Sequence, residues 1–136
     1  MEENNSGFQT PITFKGYRIK RLEYGLDIEP AKNGMQIKYG VSNDKKHGQV
    51  TFLVRFGVDQ EKAHGILKLA GQFDLQDGLA DKDIHVFLGQ NGSAILYPYV
   101  RSIISMVTSL DDNRVQVLPT LNFANLLRNN EITKEK

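Results

Sequence analysis

The residues that most often do chemistry in proteins are few and scattered in this sequence. His47, His64 and His85 are too far apart for a local metal motif, and the chain has no cysteine to complete one. Ser93 follows Gly89-Gln90-Asn91-Gly92, but these glycines match neither a dinucleotide-binding fingerprint nor a P-loop. No serine lies in a nucleophile-elbow pattern. The sequence therefore predicts no catalytic residues, no metal and no cofactor, and we expect a protein that is not an enzyme.

The charged residues do not indicate a nucleic-acid partner. Asp74 and Asp77, like Asp111 and Asp112, fall in predicted loops, where a solvated surface acid is expected rather than a general acid–base pair. The basic run at Lys45-Lys46-His47 has no arginine or aromatic stripe beside it. The 17 Lys and Arg residues balance 16 Asp and Glu residues, so no bulk charge attracts nucleic acid or an anionic membrane.

Length and composition are those of one folded domain. A chain of 136 residues has room for one ordinary core, and 40% apolar with 24% charged residues is typical of folded proteins. The amino terminus, Met1 to Gly7, is polar, and no apolar run reaches the roughly 20 residues of a membrane span. We therefore expect a single cytoplasmic domain over 1–136 without membrane insertion, with 1–12 and 129–136 flexible.

The first half of the chain reads as antiparallel strands. Apolar residues alternate from Phe14 to Ile28, but their parity changes near Lys20-Arg21, which predicts a bulge there. Alternation from Met35 to Val41, from Val50 to Val58 and from Ile66 to Phe73 predicts three more strands. Loops between them are short, and short connections require antiparallel pairing.

The second half has helical spacing. A short helix is predicted to end at Gly89 and to be joined by a loop, 89–93, to a longer apolar segment that reaches about Leu110. Pro98 predicts that this second helix either starts near Tyr97 or kinks. Its apolar residues occupy more than one face, which indicates a second partner surface, such as another subunit, beside the sheet. Asn122 is predicted to cap a last helix over residues 123–128.

Two motifs in the second half carry a family resemblance. Ile95-Leu96-Tyr97-Pro98-Tyr99-Val100-Arg101 is a hydrophobic pair followed by aromatic-Pro-aromatic-x-Arg, and it is similar to the start of the long helix in the SecB family of protein-export chaperones. Pro119-Thr120-Leu121-Asn122-Phe123 is similar to the Pro-x-x-Asn-Phe that leads into its final helix. Both motifs are expected to encode fold and assembly rather than client contact.

The resemblance implies a fold class and a function. The fold would be α+β, a four-stranded antiparallel sheet with helices packed on one face. The protein would be an ATP-independent holdase for unfolded polypeptides, above all preproteins for Sec-dependent export, assembled as a homotetramer and docking the motor SecA through an acidic sheet surface. This chain departs from that pattern, since it is near neutral and only Asp27-Ile28-Glu29-Pro30 partly resembles the expected acidic stretch.

The resemblance also implies candidate site residues. Client binding is predicted on the first strand and the last helix, at Leu22, Tyr24, Leu26, Ile28, Phe123, Leu126 and Leu127. An oligomer interface is predicted at Tyr97, Tyr99, Arg101 and Ile104. Two other functions stay open: a dedicated chaperone of an antitoxin in a toxin–antitoxin system, and a small-molecule enzyme with a closed polar pocket and converging titratable groups.

Overall fold

The fold is built on a single mixed sheet. The computed structural model describes residues 10–29, 32–57, 63–111 and 115–135. The strands are β1 (Ile12–Gly25), β2 (Gly34–Val41), β3 (His47–Gly57), β4 (His64–Leu75) and β5 (Ile132–Lys134). Their order across the sheet is β1-β4-β3-β2-β5, antiparallel throughout except for the parallel pair β2–β5. The predicted α+β class is confirmed, and the predicted count of four strands is one too low.

The fifth strand lies within the segment 129–136, for which the sequence predicts flexibility. Ile132 is 1% exposed and pairs with Ile37, and the Glu135 backbone N–H donates to the Tyr39 carbonyl at 2.7 Å. A strand of three residues with one apolar anchor is too short to show alternation in the sequence. Of the predicted flexible segment 1–12, residues 1–9 lie outside the described residues, and Ile12 is buried at the start of β1.

Strand β1 contains two irregularities. Its register against β4 shifts between Phe14 and Gly16 and again between Ile19 and Arg21, so the bulge predicted near Lys20 is confirmed. Gly16 adopts a φ of +113°, a conformation that favours glycine, at the first shift. The predicted strand reached Ile28, but β1 ends at Gly25.

The helices form one long rod and one short helix. The rod consists of α1 (Asp81–Ile84), a π-helical segment (His85–Gly92) and α2 (Ser93–Ser109), and α3 (Phe123–Arg128) follows near the carboxyl terminus. The predicted break at Gly89 and the loop 89–93 are therefore wrong, and Pro98 lies inside α2 rather than at its start. Within the described ranges, no helix combines the length and the apolar character that a membrane span needs.

The glycines of the rod allow it to pack closely against the sheet and do not end a helix. A side chain at Gly89 would lie 3.3 Å from the Tyr39 ring, and one at Gly92 would lie 3.1 Å from Val50. Both glycines are buried where the π-helical segment passes over β2 and β3. The sequence could not separate this use of glycine from a helix stop, because both place glycine after an apolar helical run.

The two faces of the sheet differ sharply. The helix face carries the core, including Val50, Phe52, Val54 and Phe56 of β3, each at most 1% exposed. The opposite face, called the open face below, presents the alternate residues of each strand. The alternation of apolar residues on β3 predicts this orientation from the sequence. The orientation in turn determines which residues contact the helices.

The cap of α3 gives a first test of the fold. The Asn122 side chain accepts a hydrogen bond from the Asn125 backbone N–H at 3.1 Å, as predicted. We expect Asn122→Ala to lower the free energy of unfolding by about 0.5–2 kcal/mol, measured by urea denaturation. Asn125→Ala is the matched control, because that exposed side chain contacts Arg128 at the surface. Equal stability of both variants would contradict the capping role.

Candidate functional site

The two sequence motifs, 95–101 and 119–123, contact each other in the structure. The Tyr97 hydroxyl donates to the Pro119 carbonyl at 2.5 Å, and the Arg101 Nε donates to the Leu118 carbonyl at 3.1 Å. The Phe123 ring packs edge-on against the Tyr97 ring, with centroids 5.3 Å apart. The start of α2 therefore determines the path of the chain into α3.

The segment 115–122, called the crossing segment below, is held by side chains of α2 rather than by a strand ladder. Ser105 Oγ donates to the Gln116 carbonyl at 3.1 Å, and the Gln116 backbone N–H donates to Thr108 Oγ1 at 3.0 Å. The Gln116 side chain in turn accepts from the Gly57 backbone N–H at 3.0 Å. These bonds hold an extended segment across the end of β3, where it borders the groove described next.

An apolar groove opens between the crossing segment, α3 and the ends of β2 and β3. It encloses about 440 Å³. We call it the lateral groove. Its apolar lining comprises Met35, Ile37, Val54, Leu118, Leu121 and Leu126. Asn33, Arg55, Gln116 and Glu131 also line it and supply polar groups.

The lateral groove has the chemistry of a peptide-binding site. Its lining offers aliphatic carbon and methionine, which accept varied apolar side chains without demanding one shape. Its lining also includes the exposed Glu131, whose charge helps to keep such a surface soluble. The volume suits one or two large apolar side chains of an extended chain rather than a folded partner.

A second apolar surface lies along β1 and α2. Tyr99 packs against Phe14 and Tyr17, with ring centroids 5.6 and 4.9 Å apart, and the Tyr24 hydroxyl donates to Asp111 at 3.1 Å beyond the other end of α2. The helix therefore runs beside β1. Exposed apolar side chains follow this line and form what we call the β1–α2 surface: Tyr17, Ile19, Leu22, Tyr99 and Met106.

The structure divides the predicted client-binding residues among four places. Leu22 is exposed on β1, and Tyr24 is half-buried with its ring stacked on Phe56. Leu26 and Ile28 lie in the turn after β1. Phe123 and Leu127 belong to the buried core, and Leu126 lines the lateral groove.

These places do not join within one protomer. Two strands, β4 and β3, separate β1 from β2, which carries one wall of the lateral groove. At the usual strand spacing β1 and β2 lie about 14 Å apart. The prediction of one groove shared by the first strand and the last helix therefore stays a prediction that would require a second subunit.

Three of the four predicted interface residues make their contacts inside the protomer. Tyr97 and Arg101 hold the crossing segment, with the Arg101 guanidinium 5.9 Å from the centre of the Tyr97 ring. Ile104 is fully buried, whereas Tyr99 is 39% exposed on the β1–α2 surface. Burial raises the pKa of the Tyr97 hydroxyl, and the nearby guanidinium lowers it by a smaller amount, so the hydroxyl stays a donor at neutral pH.

The titratable side chains form small structural contacts. The Tyr39 hydroxyl lies 2.6 Å from His85 Nδ1, and burial, followed by the Asp81 carboxylate, raises the pKa of Tyr39. Asp81 pairs with Lys45 at 2.8 Å on the surface. Within the described ranges no three His, Asp or Glu side chains cluster closely enough to hold a metal ion.

Sequence reasoning missed most of the lateral groove. Met35 and Ile37 were predicted on a strand and Leu126 on the last helix, but nothing placed them together. The available signal was the apolar residue that recurs within the crossing segment, at Leu118 and Leu121. Its destination depends on hydrogen bonds from α2, which no local pattern reveals.

Comparison with known proteins shows similarity both in sequence and in fold. No family model matches the chain. An uncharacterized protein of Methanocaldococcus jannaschii, MJ0357, is 27% identical over 137 residues, which cover 92% of this chain and 88% of that protein. A solved structure of Mycobacterium tuberculosis Rv1957, a SecB-like chaperone in complex with a peptide from the antitoxin HigA1, superposes with a TM-score of 0.65 at 16% identity. The match covers 82% of this chain and 88% of that one.

The chain has a SecB-like fold. A second structure, of a protein of unknown function from Streptococcus agalactiae, superposes with a TM-score of 0.52 at 12% identity, over 81% of this chain and 97% of that one. Within this fold, Tyr97, Arg101 and Phe123 connect the long helix to the final helix.

Proposed function

We propose that this protein is an ATP-independent chaperone that holds unfolded polypeptide segments in the lateral groove. The observation that carries this proposal is an apolar groove of about 440 Å³ with polar residues among its lining, bordered by an extended crossing segment. The SecB-like structure that this chain resembles was solved with a bound antitoxin peptide. Holding a client requires neither nucleotide nor cofactor, and such a holdase would act in the cytoplasm, where unfolded chains emerge.

The proposed chaperone assembles as a homo-oligomer, in the family manner a tetramer. The β1–α2 surface supports this, because large apolar side chains exposed side by side usually mark an interface. Assembly would also bring the predicted client residues of β1 closer to the α3 side of another protomer. The proposed chaperone would bind preproteins for export as its clients and would dock the motor SecA.

A dedicated antitoxin-type client is the second candidate, and the charge of the sheet favours it. The family resemblance places SecA docking on an acidic sheet surface. The open face here instead carries exposed cations such as Arg18, Lys38 and Lys68. Purification from the native host would distinguish the candidates, since an antitoxin chaperone would retain one small partner and an export chaperone many precursors.

The holdase proposal predicts a specific loss of activity. We expect the protein to suppress aggregation of chemically denatured citrate synthase, measured by light scattering without ATP. Leu126→Asp and Leu121→Asp should each abolish most of this protection, because a carboxylate in the lateral groove makes burial of an apolar client side chain unfavourable. Leu110→Asp is the matched control, since Leu110 is 81% exposed at the end of α2, and Leu26→Asp tests the site predicted on β1 and its following turn.

The thermal melting temperature and the mass in solution are measured for each variant. Full protection by both groove variants, with unchanged melting, would contradict the lateral groove as the client site. Loss with Leu26→Asp alone would instead favour the site predicted on β1 and its following turn. Absence of protection by the unmodified protein at a stoichiometric excess would contradict the holdase function itself.

A further inference from the structure

The open face of the sheet concentrates positive charge that the overall composition conceals. The register between strands places six cationic side chains on it: Lys15, Arg18, Arg21, Lys38, Arg55 and Lys68. Lys15 belongs to this face because its Nζ lies 3.9 Å from the Asp74 carboxylate. Against these stand three carboxylates, Glu23, Asp74 and Glu135, the last of which lies beside Gly40, although the whole chain is nearly neutral.

Orientation follows from the partners of each residue. Tyr17 opposes Gly71, whose missing side chain would meet Leu96 of α2, so Tyr17 faces the helices. Arg18 comes next along β1 and therefore points to the open face. The same alternation orients Lys68 between the buried residues Leu67 and Leu69, and the Arg21–Lys68 pairing places both cations side by side.

The centre of the open face carries small side chains, and longer cationic side chains surround it. Arg18, Ala70, Thr51 and Lys38 lie in one row across four strands, with the small residues in the middle. Across the described part of the chain, no carboxylate lies within 4 Å of Arg18, Lys38 or Lys68. Their charges are therefore available to a partner and are screened mainly by solvent and salt.

We propose that the open face docks an acidic polypeptide segment. Along an extended peptide, alternate carboxylates recur about every 7 Å, which is the spacing of alternate residues on the strands beneath. The aromatic side chains of β1, Phe14, Tyr17 and Tyr24, all face the helices. Within the described strands, the open face therefore presents no phenylalanine or tyrosine ring on which a nucleotide base could stack. Between the cations, Gln49, Thr51 and Gln72 are joined to one another by hydrogen bonds and form a polar floor.

Fluorescence anisotropy with a labelled peptide of alternating glutamate and serine tests this docking directly. The full chain should bind the peptide at low salt and lose affinity as salt rises. Arg18→Glu combined with Lys68→Glu should weaken binding about tenfold or more, because each reversal replaces an attraction with a repulsion. Arg18→Gln with Lys68→Gln provides a milder second pair if the reversals disturb folding, which circular dichroism would show.

A charge-matched control separates the site from net charge. Lys82→Glu with Arg128→Glu changes the net charge equally, but both residues lie exposed on helices away from the open face. An equal loss in this control would overturn the proposal, as would tighter binding of duplex or single-stranded DNA of equal charge. Leu126→Asp should leave peptide binding unchanged, so this inference stands or falls independently of the holdase function.

Discussion

Replacing Phe123 by alanine is expected to lower the free energy of unfolding by about 3–5 kcal/mol. Phe123 is 9% exposed, and its ring contacts Phe52 of β3 and Tyr97 of α2, with centroids 6.4 and 5.3 Å away. It thus joins the sheet, the long helix and α3 at one point. Truncation would leave a cavity among rings that stiff neighbouring elements cannot close.

Urea denaturation of the purified protein would measure this loss. Phe123→Leu should cost clearly less than Phe123→Ala, because it retains part of the buried volume. Leu110→Ala is the surface control, since Leu110 is 81% exposed, and it should leave stability nearly unchanged. A Phe123→Ala variant as stable as the Leu110→Ala control would show that Phe123 does not hold these elements together.

Tyr99→Asp combined with Met106→Asp is expected to reduce the proposed oligomer to smaller species, down to the 15.4 kDa protomer. Tyr99 is 39% exposed and Met106 is 64% exposed, both on the β1–α2 surface. If this surface packs against another copy, each carboxylate would be buried without a partner, which is strongly unfavourable. Inside the protomer the Met106 change stays in water. The Tyr99 change also removes ring contacts with Phe14 and Tyr17, so thermal melting must show that the double variant remains folded.

Light scattering coupled to gel filtration gives the mass of each variant. Val86→Asp provides a matched control, because Val86 is 40% exposed on the π-helical segment rather than on the β1–α2 surface. Retention of the oligomer by the double variant would place the interface elsewhere. A monomeric unmodified protein at high concentration would contradict assembly itself.

Much of the fold could be predicted because the periodic signals were strong. The alternation on β3, the parity change near Lys20 and the cap at Asn122 are local features, and each corresponds to an observed element. Predictions failed where one residue type serves two purposes. Gly89 and Gly92 indicated a break, but they permit close approach of a continuous rod to the sheet.

The candidate site was less predictable than the fold. The predicted client residues were apolar positions on amphipathic elements, and such positions serve core and surface equally well. Phe123 and Leu127 lie in the core, whereas Leu126 lines the lateral groove. The difference depends on the rotation of α3 against the sheet, which tertiary packing determines.

The sequence by itself determined the strands of the sheet core, the final helix and the two motifs that connect the long helix to it. These features follow from local backbone preference and from the periodic burial of apolar side chains, both written in consecutive residues. Tertiary structure alone decided that Ile132 adds a fifth strand, that Tyr97 and Arg101 hold the crossing segment, and that cations gather on one sheet face. Each of these depends on residues distant in the chain, whose pairing is set by strand order and by hydrogen bonds that no local pattern specifies.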